Sequence, residues 1–402
     1  MEGKAGNRWI VVLGAVMIQL CLGAVYIWSL FNQPLIDKYG WDKAGVVMTF
    51  SITIFVFALS TIVAGRIQDK IGPRWVATAG GILLGLGMFL ASKATTLTQM
   101  YLFYGVIGGA GIGAAYVCPL ATCVKWFPDM RGLISGIAVA GFGMGGMLFK
   151  PIANSLLASV GVSATFMYLG IIYMTFVVLG AQLLKVPPAG YCPPGWTPPV
   201  TTAATGGAMD FTPGQMLGTP QFYFIWLMYL FGAMAGLMVI GFAKDIGTTL
   251  VGLDPLVAAN AVVIISLFNA AGRIIWGTLS DKIDRTVSLM AMYVLAAGAM
   301  LYKSKASMSY VTFLGACSII GFCFGGFLAL FPSLTADYYG TKNLGTNYGI
   351  VFMAYGVAAI AGPRLGAAVP FNTAFMIAGI MCIVALGLTL LVKPPKIKEA
   401  VV

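Results

Sequence analysis

The chain has 402 residues and a formal net charge of +11; 59% of it is hydrophobic and only 9% charged, against roughly 25% charged in a soluble domain. So little charge over such a length excludes a water-soluble globular protein and puts the chain in the membrane class. Histidine is absent, which excludes histidine-based catalytic triads, zinc-protease motifs and a histidine proton relay.

Apolar stretches able to cross ~30 Å of hydrocarbon, about 20 residues each, recur twelve times. They cover approximately residues 10–31, 45–64, 75–92, 99–122, 132–155, 163–184, 221–243, 255–279, 286–304, 309–333, 343–366 and 371–392. Lipid offers backbone N–H and C=O groups no partner, so each stretch is expected to be a helix. The apolar core of the first exceeds the ~7–15 residues of a signal peptide, and it is read as a span. Spans six and seven are separated by a long break, residues 186–220. Its VPPAGYCPPGWTPPVTTAATGGA is rich in Pro, Thr and Gly with almost no charge, the composition of a linker. Three parts are expected: a bundle over 1–185, a cytoplasmic linker over 186–220 and a second bundle over 221–402.

With both termini in the cytoplasm, fourteen Lys/Arg fall on that side. Six fall outside: Lys38, Lys43, Lys93, Lys244, Lys303 and Lys305. This is the positive-inside bias, so the basic excess is topological and implies no nucleic-acid partner. Six cysteines fall in spans and Cys192 in the linker, none at metal-ligand spacing; they read as small packing residues. No cofactor or metal is expected. The chain has no phosphate-binding GxxxxGK[ST], which argues against ATP-driven pumping. GFGMGG formally matches a dinucleotide fingerprint but sits mid-span with no preceding strand. With GGAGIG and GFCFGG it reads as a small-residue face for close helix packing.

The halves repeat. GRIQDKIGPR (Gly65–Arg74) follows span two and GTLSDKIDR (Gly277–Arg285) follows span eight, with Asp69 matching Asp281 at an offset of 281 − 69 = 212 residues. GFGMGGMLFKP in span five and YGVAAIAGPR in span eleven correspond at the same offset. Two parallel six-helix repeats are an architecture of secondary transporters.

Gly65, Asp69, Lys70, Gly72 and Arg74 resemble the loop signature of the major facilitator superfamily. The resemblance implies an all-α membrane fold of twelve helices in two pseudo-symmetric bundles. A plain charged loop would mimic one copy; two copies at matching places strengthen the resemblance. Asp69 could accept from backbone N–H groups at the start of a neighbouring helix and pair with a loop cation such as Arg131. Arg74, Asp281 and Arg285 are the other candidate gating residues. In the second copy Asp284 replaces the inner glycine, which weakens the match there. Longer blocks, among them WFPDMRGLISG (Trp126–Gly136), FGGFLALFPS (Phe324–Ser333) and NYGIVFMAYG (Asn347–Gly356), resemble the bacterial oxalate–formate exchanger and monocarboxylate transporter group.

All twelve acids lie in loops, in tails or within about a turn of a span end. A cation pathway normally carries intramembrane acids, so the substrate is not expected to be a cation. Lys150, Arg273 and Arg364 fall within spans. Snorkelling accounts for Lys150 and Arg364, each near a helix end beside a proline. Arg273 shares a polar stripe with Ser266 and Asn269 at helical spacing, and its planar fork suits a carboxylate. The resemblance also puts an arginine at this place in span eight, and it exposes three departures. A lysine of the oxalate exchanger is Tyr355 here; an aspartate and a lysine of the animal monocarboxylate transporters are Asn269 and Leu30. One buried cation favours one carboxylate, because a second would stay unpaired. Tyr26, Tyr116, Phe324, Phe352 and Tyr355 match pocket positions of the family, with ordinary aromatic packing as the plainer explanation of each. Leu30, Phe324 and Phe352 would enclose a short alkyl chain.

The expectation is a secondary transporter of small monocarboxylates such as lactate or pyruvate, moved with a proton by alternating access. It would work as a monomer in the bilayer of a prokaryotic cytoplasmic membrane, with both termini inside. The alternative is an organic anion exchanger of the oxalate–formate kind. An enzyme is not expected, since no span holds an acid, a histidine or a paired nucleophile; a non-transporting sensor would share the same sequence features.

Overall fold

The computed structural model describes residues 7–188, 190–196, 210–258, 260–305 and 308–395, and these contain helices and no strand. α1 (Arg8–Gly23) runs through a 3₁₀ turn (Ala24–Ile27) into α2 (Ser29–Tyr39). α3 (Lys43–Ile71) and α4 (Pro73–Ala91) follow. The fourth span is α5 (Leu97–Met100), a π-helical segment (Tyr101–Gly108) and α6 (Gly109–Trp126). Next come α7 (Arg131–Leu183), the short α8 (Pro213–Leu217), α9 (Pro220–Val251) and α10 (Pro255–Ala258). α11 (Asn260–Ile283), α12 (Arg285–Lys305), α13 (Tyr310–Tyr339), α14 (Leu344–Ala368) and α15 (Phe371–Leu391) complete the chain.

Eleven helical stretches are long and apolar enough to cross a membrane. One of them, α7, has 53 residues and is broken at Gly161, where φ is +74° and ψ 173°. A Cβ disfavours that conformation, so glycine is what lets the chain turn there without leaving the helix on either side. α7 therefore holds two spans, and the total among the described residues is twelve. The helices outrun the apolar stretches; α3 covers Lys43–Ile71 where hydrophobicity alone marks 45–64. Backbone bonding continues past the point where side chains turn polar.

The chain forms two compact units, neither a continuous run. Unit 1 is Met1–Pro128, Gly141–Pro194 and Leu344–Gly356; within it α3 and α4 pack on α6, and α1 on α6. Unit 2 is Asp129–Ala140, Gly195–Asn343 and Val357–Val402. There α11 packs on α13, α12 on α15, and α9 on both α13 and α15. The first ten residues of α7 thus belong to unit 2 and the first thirteen of α14 to unit 1.

Part of the expected linker, Ala189 and residues 197–209, lies outside the described residues. Its last stretch is ordered against unit 2. Phe211 N–H donates to Tyr339 O at 3.0 Å, Lys342 N–H donates to Asp210 at 2.8 Å, and Thr212 with Gln215 forms a capping box on α8. Lys303 is a correction to the expected outer loop. α12 continues to Lys305, and Lys303 is 0% exposed. Its ammonium donates to Cys317 Sγ at 3.2 Å and lies 4.7 Å and 5.3 Å from the ring centres of Phe313 and Phe375, an aromatic setting that attracts a cation.

Candidate substrate site and helix-end latches

α11 is built from Ile, Val, Leu and Ala with few polar residues. Of its expected polar stripe, Ser266 is exposed and returns its hydroxyl to Val262 O at 2.8 Å. Asn269 and Arg273 do face each other, with Arg273 Nε donating to Asn269 Oδ1 at 2.9 Å. Arg273 is 0% exposed and is the largest fully buried side chain described. Its Nη1 donates to the backbone carbonyl of Val139 in the first part of α7. That approach depends on Gly136, where an added Cβ would fall on Arg273's own carbonyl. Nη2 is buried with no hydrogen-bond partner, and Arg273 makes no ion pair among the described residues. A buried unsatisfied donor costs about 1–3 kcal/mol, more when charged.

In unit 1 an aromatic cluster gathers four of the expected pocket residues. Tyr26 in the 3₁₀ turn and Tyr355 on α14 share a hydroxyl–hydroxyl hydrogen bond at 2.9 Å. Tyr355 stacks on Phe352 at 5.0 Å, and Phe352 lies tilted against Tyr116 at 4.8 Å. The sequence reading missed two members. Phe57 lies 5.0 Å from Tyr116 and 5.4 Å from Phe352, and Phe142 lies 5.4 Å from Tyr26 and 5.3 Å from Tyr116. Phe142 stands inside GFGMGG, where the glycines drew the reading towards packing. Leu30 is half-buried on α2. Phe324 belongs to unit 2, buried on α13 against Gly236 of α9, and is not part of this cluster. Lys150 and Arg364 are exposed.

The two signature loops each cap a helix. Asp69 accepts from Gly345 N (3.1 Å), Thr346 N (2.8 Å) and Thr346 Oγ1 (3.0 Å). The two amides are orphan groups of the first turn of α14, whose own N-cap, Asn343, makes no side-chain cap. Asp281 accepts from Gly132 N and Leu133 N, both at 2.8 Å, capping α7 in the same way. Arg131, the loop cation expected beside Asp69, belongs to the other unit. The cation near Asp69 is Lys125 at 3.8 Å, and Arg131, at the start of α7, pairs with Asp337 at 2.5 Å. Arg285 joins Asp281 at 2.6 Å and Asp337 at 3.0 Å. Arg74 stands apart, donating to Gln182 at 2.6 Å and lying over Trp75. Asp284 takes φ +102° where the first copy has Gly72 at +93°. Its carboxylate accepts from Thr286 N at 2.7 Å. The turn survives the lost glycine because Asp tolerates positive φ better than most side chains and caps the next helix. Among the described residues no group of three or more His, Cys, Asp or Glu could hold a metal.

Twelve helical spans and a signature loop repeated at the two capped helix ends define a class of membrane carriers. The chain belongs to the Major Facilitator Superfamily of transporters, whose sequence profile matches residues 11–363 and 222–401. It is 38% identical over 354 residues to the uncharacterized MFS-type transporter YhjX of Escherichia coli (strain K12), covering 88% of this chain and 86% of that one. It is 33% identical to the oxalate:formate antiporter of Oxalobacter formigenes over 98% of this chain and 93% of that one. Identity to monocarboxylate transporter 13 of Rattus norvegicus is 25%, over 95% and 88% of the two chains. The fold matches the MFS transporter FucP in its outward conformation with a TM-score of 0.73 at 16% identity, covering 96% of this chain and all of that one.

Proposed function

We propose that this chain carries small monocarboxylates of the lactate and pyruvate kind across a prokaryotic cytoplasmic membrane by alternating access. Arg273 anchors the carboxylate and Asn269 orients it. Phe324 is a further candidate of unit 2, and Tyr26, Leu30, Tyr116, Phe352 and Tyr355 are the candidate substrate-binding residues of unit 1. Asp69, Asp281, Arg131 and Arg285 latch helix ends as the carrier changes state, and Arg74 braces the first loop. One observation carries the reading: a fully buried guanidinium whose Nη2 has no partner. The net charge left at Arg273 matches one carboxylate and leaves a second unpaired.

For coupling, the first reading is symport with a proton. A second reading, exchange of one carboxylate for another, is favoured by the neutral partners of Arg273, Asn269 Oδ1 and Val139 O, neither of which can carry a proton across. The names of two relatives, an oxalate:formate antiporter and a monocarboxylate transporter, support a carboxylate in either case. The test is uptake of labelled lactate, pyruvate, formate and oxalate into proteoliposomes, with an imposed pH gradient or with unlabelled carboxylate inside. A monocarboxylate preference is expected. Drive by the pH gradient alone indicates symport, and dependence on internal carboxylate indicates exchange. Absence of uptake under both conditions contradicts the proposal.

A further inference from the structure

Arg273 has five N–H donors, and two contacts fix how they are shared. Asn269 lies one turn earlier on the same helix and takes Nε. Val139 comes from a different helix, and its carbonyl takes Nη1. A helical carbonyl has a second lone pair left after its own i+4 bond, so this contact costs α7 nothing locally. Nη2 remains unsatisfied. The carbonyl oxygen occupies a position that one oxygen of an end-on, bidentate carboxylate would take, with Nη2 waiting for the other.

Resting on the reading of Arg273 as the carboxylate anchor, we infer that Val139's carbonyl is a built-in competitor for the substrate. An incoming carboxylate displaces it from Nη1 and thereby loosens residues 131–140 of α7 from α11. The exchange is selective for charge. A charge-assisted hydrogen bond is roughly twice as strong as a neutral one, so an ionised carboxylate outcompetes the carbonyl at Nη1, whereas an amide or alcohol would replace one neutral acceptor by another there and so leaves Val139 in place. Binding is also tied to movement. The same stretch of α7 is held by Asp281 on Gly132 and Leu133, by Arg131 on Asp337 and by Ser135 on Ser333 at 3.0 Å between hydroxyl oxygens. Of these ties, the one at Val139 shares its donor with the substrate, so occupancy releases the segment at that end first.

The experiment uses the full chain carrying S135C and S333C, at positions whose serine hydroxyls lie 3.0 Å apart. Disulfide formation under a mild oxidant is followed with no addition, with lactate or acetate, and with lactamide or acetamide. Carboxylate binding is measured on the same samples by calorimetry. The expected result is that lactate and acetate bind and slow cross-linking by about threefold or more, while the amides leave the cross-linking rate unchanged, as the difference between charged and neutral acceptors at Nη1 requires. Carboxylate binding with an unchanged or faster cross-linking rate overturns the competitor role and leaves the anchor reading intact, since a side-on carboxylate would then displace Asn269 instead. No carboxylate binding at all overturns both. Hydrogen exchange in the unsubstituted chain gives the second readout: amides of 131–140 should exchange faster with lactate and not with lactamide, and equal exchange overturns the inference whatever the cysteine pair does.

Discussion

At the scale of single residues, two side chains show how local chemistry sets local structure. Asp284 sits at φ +102° and caps α12 through Thr286 N. Asp284→Ala removes the cap while keeping the Cβ at positive φ, and should cost about 1–2 kcal/mol. Asp284→Gly loses the same cap but relieves the backbone, so the two changes should nearly cancel. Thermal unfolding in detergent separates them, and equal losses would remove the backbone part of the explanation. Tyr355 donates to or accepts from Tyr26 where the resembled exchanger has a lysine. Tyr355→Lys should weaken lactate transport and improve oxalate, because a second buried cation rewards a second carboxylate. Competition of each acid against labelled lactate is the measurement, and an unchanged preference would undo the one-cation argument.

At the scale of elements, the helix ends carry the gating proposal. Asp69→Asn keeps the side chain's shape but removes the charge facing two amides of α14. Losing a charge-assisted cap is worth about 1.5 kcal/mol, roughly a tenfold shift in a two-state balance. Turnover should slow more than binding weakens, as read from uptake rates and calorimetry together. A large loss of affinity with unchanged turnover at saturation would contradict a latch. The twelve spans could be read from the sequence because lipid imposes hydrophobic length on each one. The gap between spans five and six, 156–162, was legible too and contains the break at Gly161; which residue turns the chain was not, since a glycine that turns the chain looks the same as the many that let helices approach. The cap by Asp69 was legible from its place at a helix end; its cation was not. The two copies carry Lys125 and Asp337 at the same offset, 337 − 125 = 212, so repeat symmetry says nothing about which charge pairs with Arg131. Arg273 stood out as a charge in an apolar run, but its partner Val139 acts through a backbone carbonyl, which leaves no trace in the residue letters.

At the scale of the whole molecule, the proposed proton coupling makes a prediction about pH. The chain has no histidine, and Arg273 makes no ion pair with a carboxylate among the described residues. Transport should therefore rise as external pH falls towards the substrate's own pKa, and its midpoint should move with the acid chosen. Lactate compared with a much weaker acid gives the test; one shared midpoint would mean that a protein group carries the proton.

The central claim is that a buried guanidinium anchors a carboxylate, and the most direct measurement is labelled lactate uptake by proteoliposomes holding Arg273→Lys at the wild-type amount of folded protein. Lysine keeps the charge and loses the planar fork, so a loss of about tenfold or more is predicted. Uptake at the wild-type rate would contradict the account.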